Sequence, residues 1–83
     1  MKIFEIVAVK DELSETYMEP RFFGKKAEAE RMFSYQINNI DLWKENPSDF
    51  SLYSLGTFDQ ETGTIIGIPP VKIIGGRSVR KEK

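Results

Sequence analysis

Residues 46–63 read Asn-Pro-Ser-Asp-Phe-Ser-Leu-Tyr-Ser-Leu-Gly-Thr-Phe-Asp-Gln-Glu-Thr-Gly, and this stretch decides the fold. Asn46-Pro47 predicts a turn, because proline fixes its own φ and moves the preceding residue out of helical space. Residues 50–58 are rich in aromatic and aliphatic side chains and contain no proline, which favours a strand. Residues 59–63 predict a hairpin loop, since Asp59 can accept bonds from nearby amides and Gly63 tolerates positive φ.

Strict alternation gives this strand two faces. Phe50, Leu52 and Phe58 share one face, and Tyr53 lies on the other with Leu55. Because neither face is polar throughout, we expect the strand to lie inside a sheet and not at its edge.

Five other segments supply strands and loops. Residues 2–10 are β-branched and apolar and predict a first strand, whereas the acidic residues 11–19 predict a mobile loop. Phe22-Phe23 predicts a short strand or a plug over the core. Residues 65–68 predict a third strand that ends at Pro69-Pro70, because proline donates no ladder hydrogen bond, and residues 71–74 are a candidate fourth strand.

One helix is predicted, over residues 25–39. Its apolar stripe recurs at spacings of three and four residues and consists of Ala29, Met32, Phe33, Gln36, Ile37 and Ile40. Asn38-Asn39 is expected to end it in a left-handed cap, and Trp43 to cover the core between helix and sheet.

The prediction is an α+β fold with one helix packed on a three- to four-stranded, largely antiparallel sheet. Residues 1–76 form a single domain, Gly75-Gly76 is a flexible joint, and residues 77–83 are a disordered basic tail.

Composition argues against several classes of function. The 83 residues include no cysteine and no histidine, which removes disulfides, thiolate metal sites and the commonest general base. No nucleotide-binding glycine pattern or nucleophile elbow is present. We therefore expect no enzyme, no cofactor and no metal site. A chain this small that lacks disulfides and metal sites often gains stability by association with other chains. We therefore expect a homodimer or a higher oligomer.

The charges are divided unevenly along the chain. Residues 1–70 hold seven basic and twelve acidic side chains, whereas residues 71–83 hold five basic side chains and one acidic. Lysines at the predicted helix start also provide a positive spot next to free backbone amides. If the sheet leaves one face open, Tyr53 becomes a platform for base stacking and the tail a phosphate clamp. The candidate nucleic-acid-binding residues are Lys25, Lys26, Tyr53, Lys72, Arg77, Arg80 and Lys81.

Each of these features also has a purely structural interpretation. The tail can be a solvated terminus, and Glu28 and Glu30 can offset the two lysines at the helix start. Tyr53 and Phe58 can belong to the core or to a subunit interface.

The pattern N-P-x-D-F-x-L-Y-x-L-G-x-F-D-x-x-T-G resembles the small nonstructural protein of the gokushoviruses, and the likeness covers about residues 1–75. The resemblance implies a phage accessory protein that binds single-stranded DNA during genome replication or packaging. The alternative is a small oligomeric interaction module that acts on a host or viral protein without DNA affinity. With no transmembrane run and no secretory signal in the sequence, we expect a soluble protein of the infected bacterium's cytoplasm, without membrane contact.

Overall fold

The computed structural model describes residues 2–81. Its strands are β1 Ile3–Asp11, β2 Thr16–Tyr17, β3 Arg21–Phe23, β4 Phe50–Asp59 and β5 Thr64–Gly75. Its helices are α1 Lys26–Asn39, α2 Asp41–Glu45 and α3 Gly76–Val79, and a 3-10 turn spans Pro47–Asp49. This arrangement confirms the predicted α+β class, the single long helix and the turn at Pro47.

All pairings in the sheet are antiparallel, and β1 and β4 form its centre. β5 pairs with the other side of β4, and β2 and β3 share the free side of β1. The interior position predicted for the aromatic strand is therefore confirmed. The predicted mobile loop at residues 11–19 is wrong in part, because β2 lies within it and pairs with the end of β1.

The core lies between α1 and one side of the sheet. Ala29, Phe33 and Ile37 of α1 are buried against strand residues that include Val7 and Leu52. Trp43 stacks on Phe50 with ring centroids 4.6 Å apart, which confirms its predicted role as a cover for the core. Met32 and Ile40 are each 39% exposed and mark the edges of the apolar stripe, so the buried part is narrower than predicted.

The C-terminal end of α1 is fixed by an asparagine side chain rather than by a left-handed cap. Asn38 Nδ2 donates to the carbonyl of Ser34 at 2.8 Å and to the carbonyl of Val79 at 2.9 Å. Its Oδ1 accepts from the amide of Lys81 at 2.7 Å. Residues 77–81 therefore lie against α1, where a separate tail was expected. Glu82 and Lys83 lie outside the described residues.

Gly76 is buried and begins α3, so the predicted flexible joint at Gly75-Gly76 is wrong. A Cβ at Gly76 would overlap the carbonyl oxygen of Pro47 and approach Cδ1 of Ile37 to 2.7 Å. Glycine is required there because the backbone of α3 packs directly on the 3-10 turn.

A bulge in β4 changes which side chains share a face. The pairing with β1 passes from Val7↔Ser54 to Ile6↔Gly56, so Leu55 is an extra residue without a partner. Gly56 takes φ 147° at this point, a conformation that side chains rarely adopt. Because of the extra residue, Phe58 lies on the same face as Tyr53, and the alternation predicted from the sequence is wrong beyond residue 54.

β5 continues through Pro69-Pro70 instead of ending there. Its pairing with β4 passes from Ser54↔Val71 to Gly56↔Gly67, and the residues between them loop out of the ladder. Prolines are tolerated at such an irregularity in an edge strand, because no ladder bond is lost. The third strand and the candidate fourth strand are therefore one long strand.

Gly56→Ala is expected to destabilise the fold by about 2–4 kcal/mol, from backbone strain and overpacking together. The new Cβ would overlap the carbonyl oxygen of Ile66 and hold an alanine at positive φ. Urea unfolding followed by circular dichroism measures the change. Gly67→Ala is the matched control, because a Cβ at this ladder partner of Gly56 meets no atom within 4 Å. Equal midpoints for the two variants would contradict the assignment of the bulge.

Candidate functional site

The side of the sheet that faces away from α1 has no helix over it in the described residues. α2 and α3 both pack against α1, and α3 also contacts the 3-10 turn, so the helices form one layer. We call the opposite side of the sheet the open face. Strand pairing places on it Phe4, Ile6, Ala8 and Lys10 of β1, Tyr17 of β2, Phe22 of β3, Tyr53 and Phe58 of β4, and Ile65 and Lys72 of β5.

These side chains form two rows across the strands. The tyrosine–lysine row consists of Tyr17, Lys10, Tyr53 and Lys72, in which Tyr17 is the ladder partner of Lys10 and Tyr53 that of Lys72. The phenylalanine row consists of Phe22, Phe4, Phe58 and Ile65, in which Phe58 pairs with Phe4 on one side and Ile65 on the other. Ile6 and Ala8 are buried between the rows, so the face has an apolar centre.

Lys10 organises the tyrosine–lysine row. Its Nζ lies 5.5 Å from the ring centroid of Tyr17 and 5.6 Å from that of Tyr53, within the range of cation–π attraction. The two rings meet edge to face with centroids 5.5 Å apart. Glu12 completes the cluster, because its Oε2 accepts from the Tyr53 hydroxyl at 3.0 Å and its Oε1 lies 3.5 Å from Lys10 Nζ.

The pKa shifts in this cluster have consistent causes. Burial alone would lower the pKa of Lys10, but Tyr17, Glu12 and Tyr53 outweigh it and the pKa is raised. Burial opposes ionisation of Glu12, yet hydrogen bonds from Tyr53 and Ser51 and the charge of Lys10 leave its pKa lowered. Burial and the bond to Glu12 raise the pKa of Tyr53. At neutral pH the cluster therefore holds an ammonium, a carboxylate and a neutral phenol.

The phenylalanine row presents an exposed ring over a partly covered one. Phe22 is 47% exposed, and its ring meets Phe58 edge to face with centroids 5.5 Å apart. A shallow depression of about 230 Å³ lies here, lined by Phe4, Phe22, Phe58 and Gln60. This depression is an apolar surface large enough to contact one aromatic ring.

The charge on the open face differs from that of the whole chain. Glu12 is the carboxylate whose contacts place it at this face, where it is paired with Lys10 and Tyr53. The strand carboxylates Glu5, Asp11 and Asp59 lie on the helix-facing side of β1 and β4. The chain as a whole carries −1, whereas the strands present lysines on the open face and turn their own carboxylates to the other side.

Two of the predicted site residues come together on this face. Tyr53 and Lys72 are ladder partners, but Tyr53 is half-buried, its hydroxyl is bonded to Glu12 and Lys10 lies over its ring. The exposed rings are instead those of Phe22 and of Tyr17, which is 40% exposed.

The structure places the other predicted basic residues away from the open face. Lys25 and Lys26 are exposed at the beginning of α1. Arg77 reaches Ser48 Oγ at 3.3 Å, and Arg80 Nε donates to the carbonyl of Lys44 at 2.8 Å. The guanidinium of Arg80 also contacts the carbonyl of Lys81. These C-terminal cations hold the chain end on the helical layer.

Sequence reasoning missed Lys10, Tyr17 and Phe22 as site residues. Tyr17 lies in the segment for which the sequence predicts a mobile loop, and Lys10 lies at the end of the predicted first strand. The alternation of β1 is a sequence signal for Lys10, because it places Lys10 on the same face as Phe4, Ile6 and Ala8. Only the pairing of β2 and β3 with β1 shows that Tyr17 and Phe22 join it.

A second concavity of about 230 Å³ separates α1 from the edge of β1. Its lining is mostly core side chains, and Glu19 and Arg21 are its charged residues. Within residues 2–81, no group of three or more acidic side chains is placed to hold a metal ion. None of the helices in that part of the chain is long and apolar enough to cross a membrane.

The fold and the open face define a small α+β protein whose single sheet carries a helical layer on one side and exposed aromatic side chains on the other. The chain matches the family model of the phage ORF5 protein over residues 4–79 and belongs to that family. Comparison with curated proteins found no match, and comparison with solved structures found none either.

Proposed function

We propose that this phage accessory protein binds single-stranded DNA on its open face during genome replication or packaging. The observation that carries the proposal is the combination of exposed aromatic rings with lysines on a face where the carboxylate of Glu12 is paired with Lys10. Proteins that bind single strands without sequence preference use such faces, with bases stacked on aromatic rings and cations beside the backbone. The role is binding and not catalysis.

Tyr17 and Phe22 are the proposed stacking platforms. They pair with Lys10 and Ile6 of β1, four residues apart, so they lie roughly 13 Å from each other along that strand. A single strand that crosses the sheet edge can therefore stack one base on each. A duplex cannot, because its bases are already stacked and paired.

Lys72 and Lys10 are the proposed phosphate contacts on the open face, and Lys25 and Lys26, off this face at the beginning of α1, are further contacts for a strand that extends beyond it. Lys10 is partly neutralised by Glu12, 3.5 Å away, so its attraction for phosphate is weaker than that of Lys72. The C-terminal cations contribute less than the sequence implied, because the helical layer holds them. With two to four phosphates neutralised, the logarithm of affinity should fall with the logarithm of salt with a slope of about −2.

Fluorescence anisotropy of labelled single- and double-stranded oligonucleotides at several salt concentrations tests the proposal. We expect salt-sensitive binding that favours the single strand. Glu12→Gln should strengthen binding, because it removes the charge while the amide oxygen still accepts from Tyr53. Lys72→Ala should weaken it several-fold.

Arg31→Ala is the matched control, because it removes the same charge from an exposed position on α1. An equal loss in Arg31→Ala and Lys72→Ala would mean non-specific charge attraction. Absence of binding even at low salt would end the proposal.

The gokushovirus-type pattern in residues 46–63 supports a place among the small nonstructural proteins of those phages, with the cytoplasm of the infected bacterium as the site of action. A second candidate function is a protein-interaction module without DNA affinity. It is favoured by the exposed apolar side chains of β5. The anisotropy experiment separates the two candidates.

A further inference from the structure

β5 carries more exposed apolar surface than any other strand of the sheet. Ile65, Ile66, Ile68 and Val71 are between 43% and 61% exposed. They lie on both faces of the strand, since Ile65 pairs with Phe58 on the open face and Ile66 with Thr57 on the other. A small ligand on one face of the sheet cannot cover the apolar side chains on both faces of β5. Another strand paired alongside β5 can contact the side chains on both faces.

The free edge of β5 is chemically suited to strand pairing. Among the strands of residues 2–81, β5 pairs only with β4, so within that range the backbone groups along its outer side have no strand partner. Residues 64–71 contain no charged side chain, although charges on edge strands are a common protection against pairing. Pro69-Pro70 blocks one part of the edge, which leaves residues 64–68 available.

We propose that this edge pairs with the same edge of a second copy of the chain, in antiparallel orientation. Such an interface is isologous, because the same residues face each other across a two-fold axis. Full overlap of residues 64–68 with their copy places the axis at Ile66, so that Ile66 lies opposite its own counterpart.

The charge of the chain favours a second copy at this place. The whole chain carries a formal net charge of −1, so the overall repulsion between two copies is small. The uncharged segment of β5 is where they can approach without like-charge contacts. The paired segment is short, so the interface is at the small end of specific protein contacts and dissociates in the micromolar range.

The pairing also has a geometric consequence. An antiparallel pair within one continuous sheet has its two-fold axis normal to the sheet, so the open faces of both copies lie on the same side. A dimer of this form doubles the length of the aromatic face. The association itself does not depend on nucleic acid, and it is measured in its absence.

A charge-complementation experiment at Ile66 tests the pairing. Sedimentation equilibrium should show the unaltered protein rising from its monomer mass of 9.6 kDa to twice that value with micromolar concentration. Ile66→Lys and Ile66→Glu should each remain monomeric, because like charges would meet at the axis. An equal mixture of the two variants should associate again, because opposite charges then face each other.

Leu42→Lys is the control, since Leu42 is a comparably exposed apolar residue on α2 and should leave the dimer intact. Hydrogen exchange of the unaltered protein provides an independent reading, and the amides of residues 64–68 should become protected as concentration rises. A protein that stays monomeric throughout this range, or an Ile66→Lys variant that still dimerises, would overturn the proposal. A mixture that fails to associate would overturn the placement of the axis at Ile66.

Discussion

We expect the Phe33→Asp variant to be unfolded at room temperature. Phe33 is 1% exposed at the centre of the packing between α1 and the sheet. Removing a buried phenylalanine costs about 3–5 kcal/mol, and enclosing a carboxylate among apolar side chains adds several more. A domain of this size has a total stability of roughly 4–12 kcal/mol, so little or nothing remains. Far-UV circular dichroism and the dispersion of amide resonances report the outcome.

Met32→Asp is the matched control for that experiment. Met32 is the neighbouring residue of the predicted apolar stripe, but it is 39% exposed at the mouth of the cleft beside β1. Its carboxylate can stay hydrated, so the loss should remain below about 2 kcal/mol and the fold should persist. A folded Phe33→Asp variant, or equal unfolding of both, would contradict the position of the core.

The second large effect is expected for DNA binding. Replacing Tyr17 and Phe22 together by alanine should lower the affinity for a single strand by about 100-fold, because each stacked base contributes about 1–3 kcal/mol. Both rings are at least two-fifths exposed and lie on short strands at the sheet edge, so their loss should change stability little. Anisotropy titration and urea unfolding of the same samples measure the two quantities.

Two controls separate stacking from other effects. Tyr35→Ala removes an exposed ring from α1, on the helical layer, and should leave binding unchanged. Phe22→Leu keeps an apolar side chain of similar bulk over Phe58 but removes the aromatic face. Binding by Phe22→Leu at full strength would mean that Phe22 serves packing and not DNA.

The sequence predicted much of the framework because local rules govern it. The spacing of Ala29, Phe33 and Ile37 placed α1 on the core, and the composition of residues 50–58 indicated an interior strand. The hairpin loop followed its turn chemistry as predicted, since Asp59 Oδ1 accepts from the amide of Glu61 at 2.9 Å and Gly63 takes φ 76°. Each of these features is decided by residues a few positions apart in the chain.

The candidate site was only partly predictable, because its residues come from all five strands. The sequence predicts Tyr53 and Lys72 as site residues. In the structure Tyr53 is less available for stacking, because its hydroxyl donates to Glu12 and Lys10 lies over its ring. The C-terminal arginines were expected to reach phosphate, whereas the docking of α3 turns them toward the helical layer. No local pattern encodes which strands become neighbours.

The sequence by itself determined the α+β class, the buried face of α1, the interior strand and the absence of thiol and imidazole chemistry. Tertiary structure decided the rest through two irregularities and one docking contact. The bulge at Gly56 moves Phe58 to the side of Tyr53, and the break opposite Pro69-Pro70 lets β5 continue as one edge strand. The hydrogen bonds of the Asn38 side chain with residues 79 and 81 hold the C-terminal end of the chain against α1. Alternation and propensity act within a strand, whereas register and docking depend on which backbone groups meet across the fold, and only the assembled sheet fixes that.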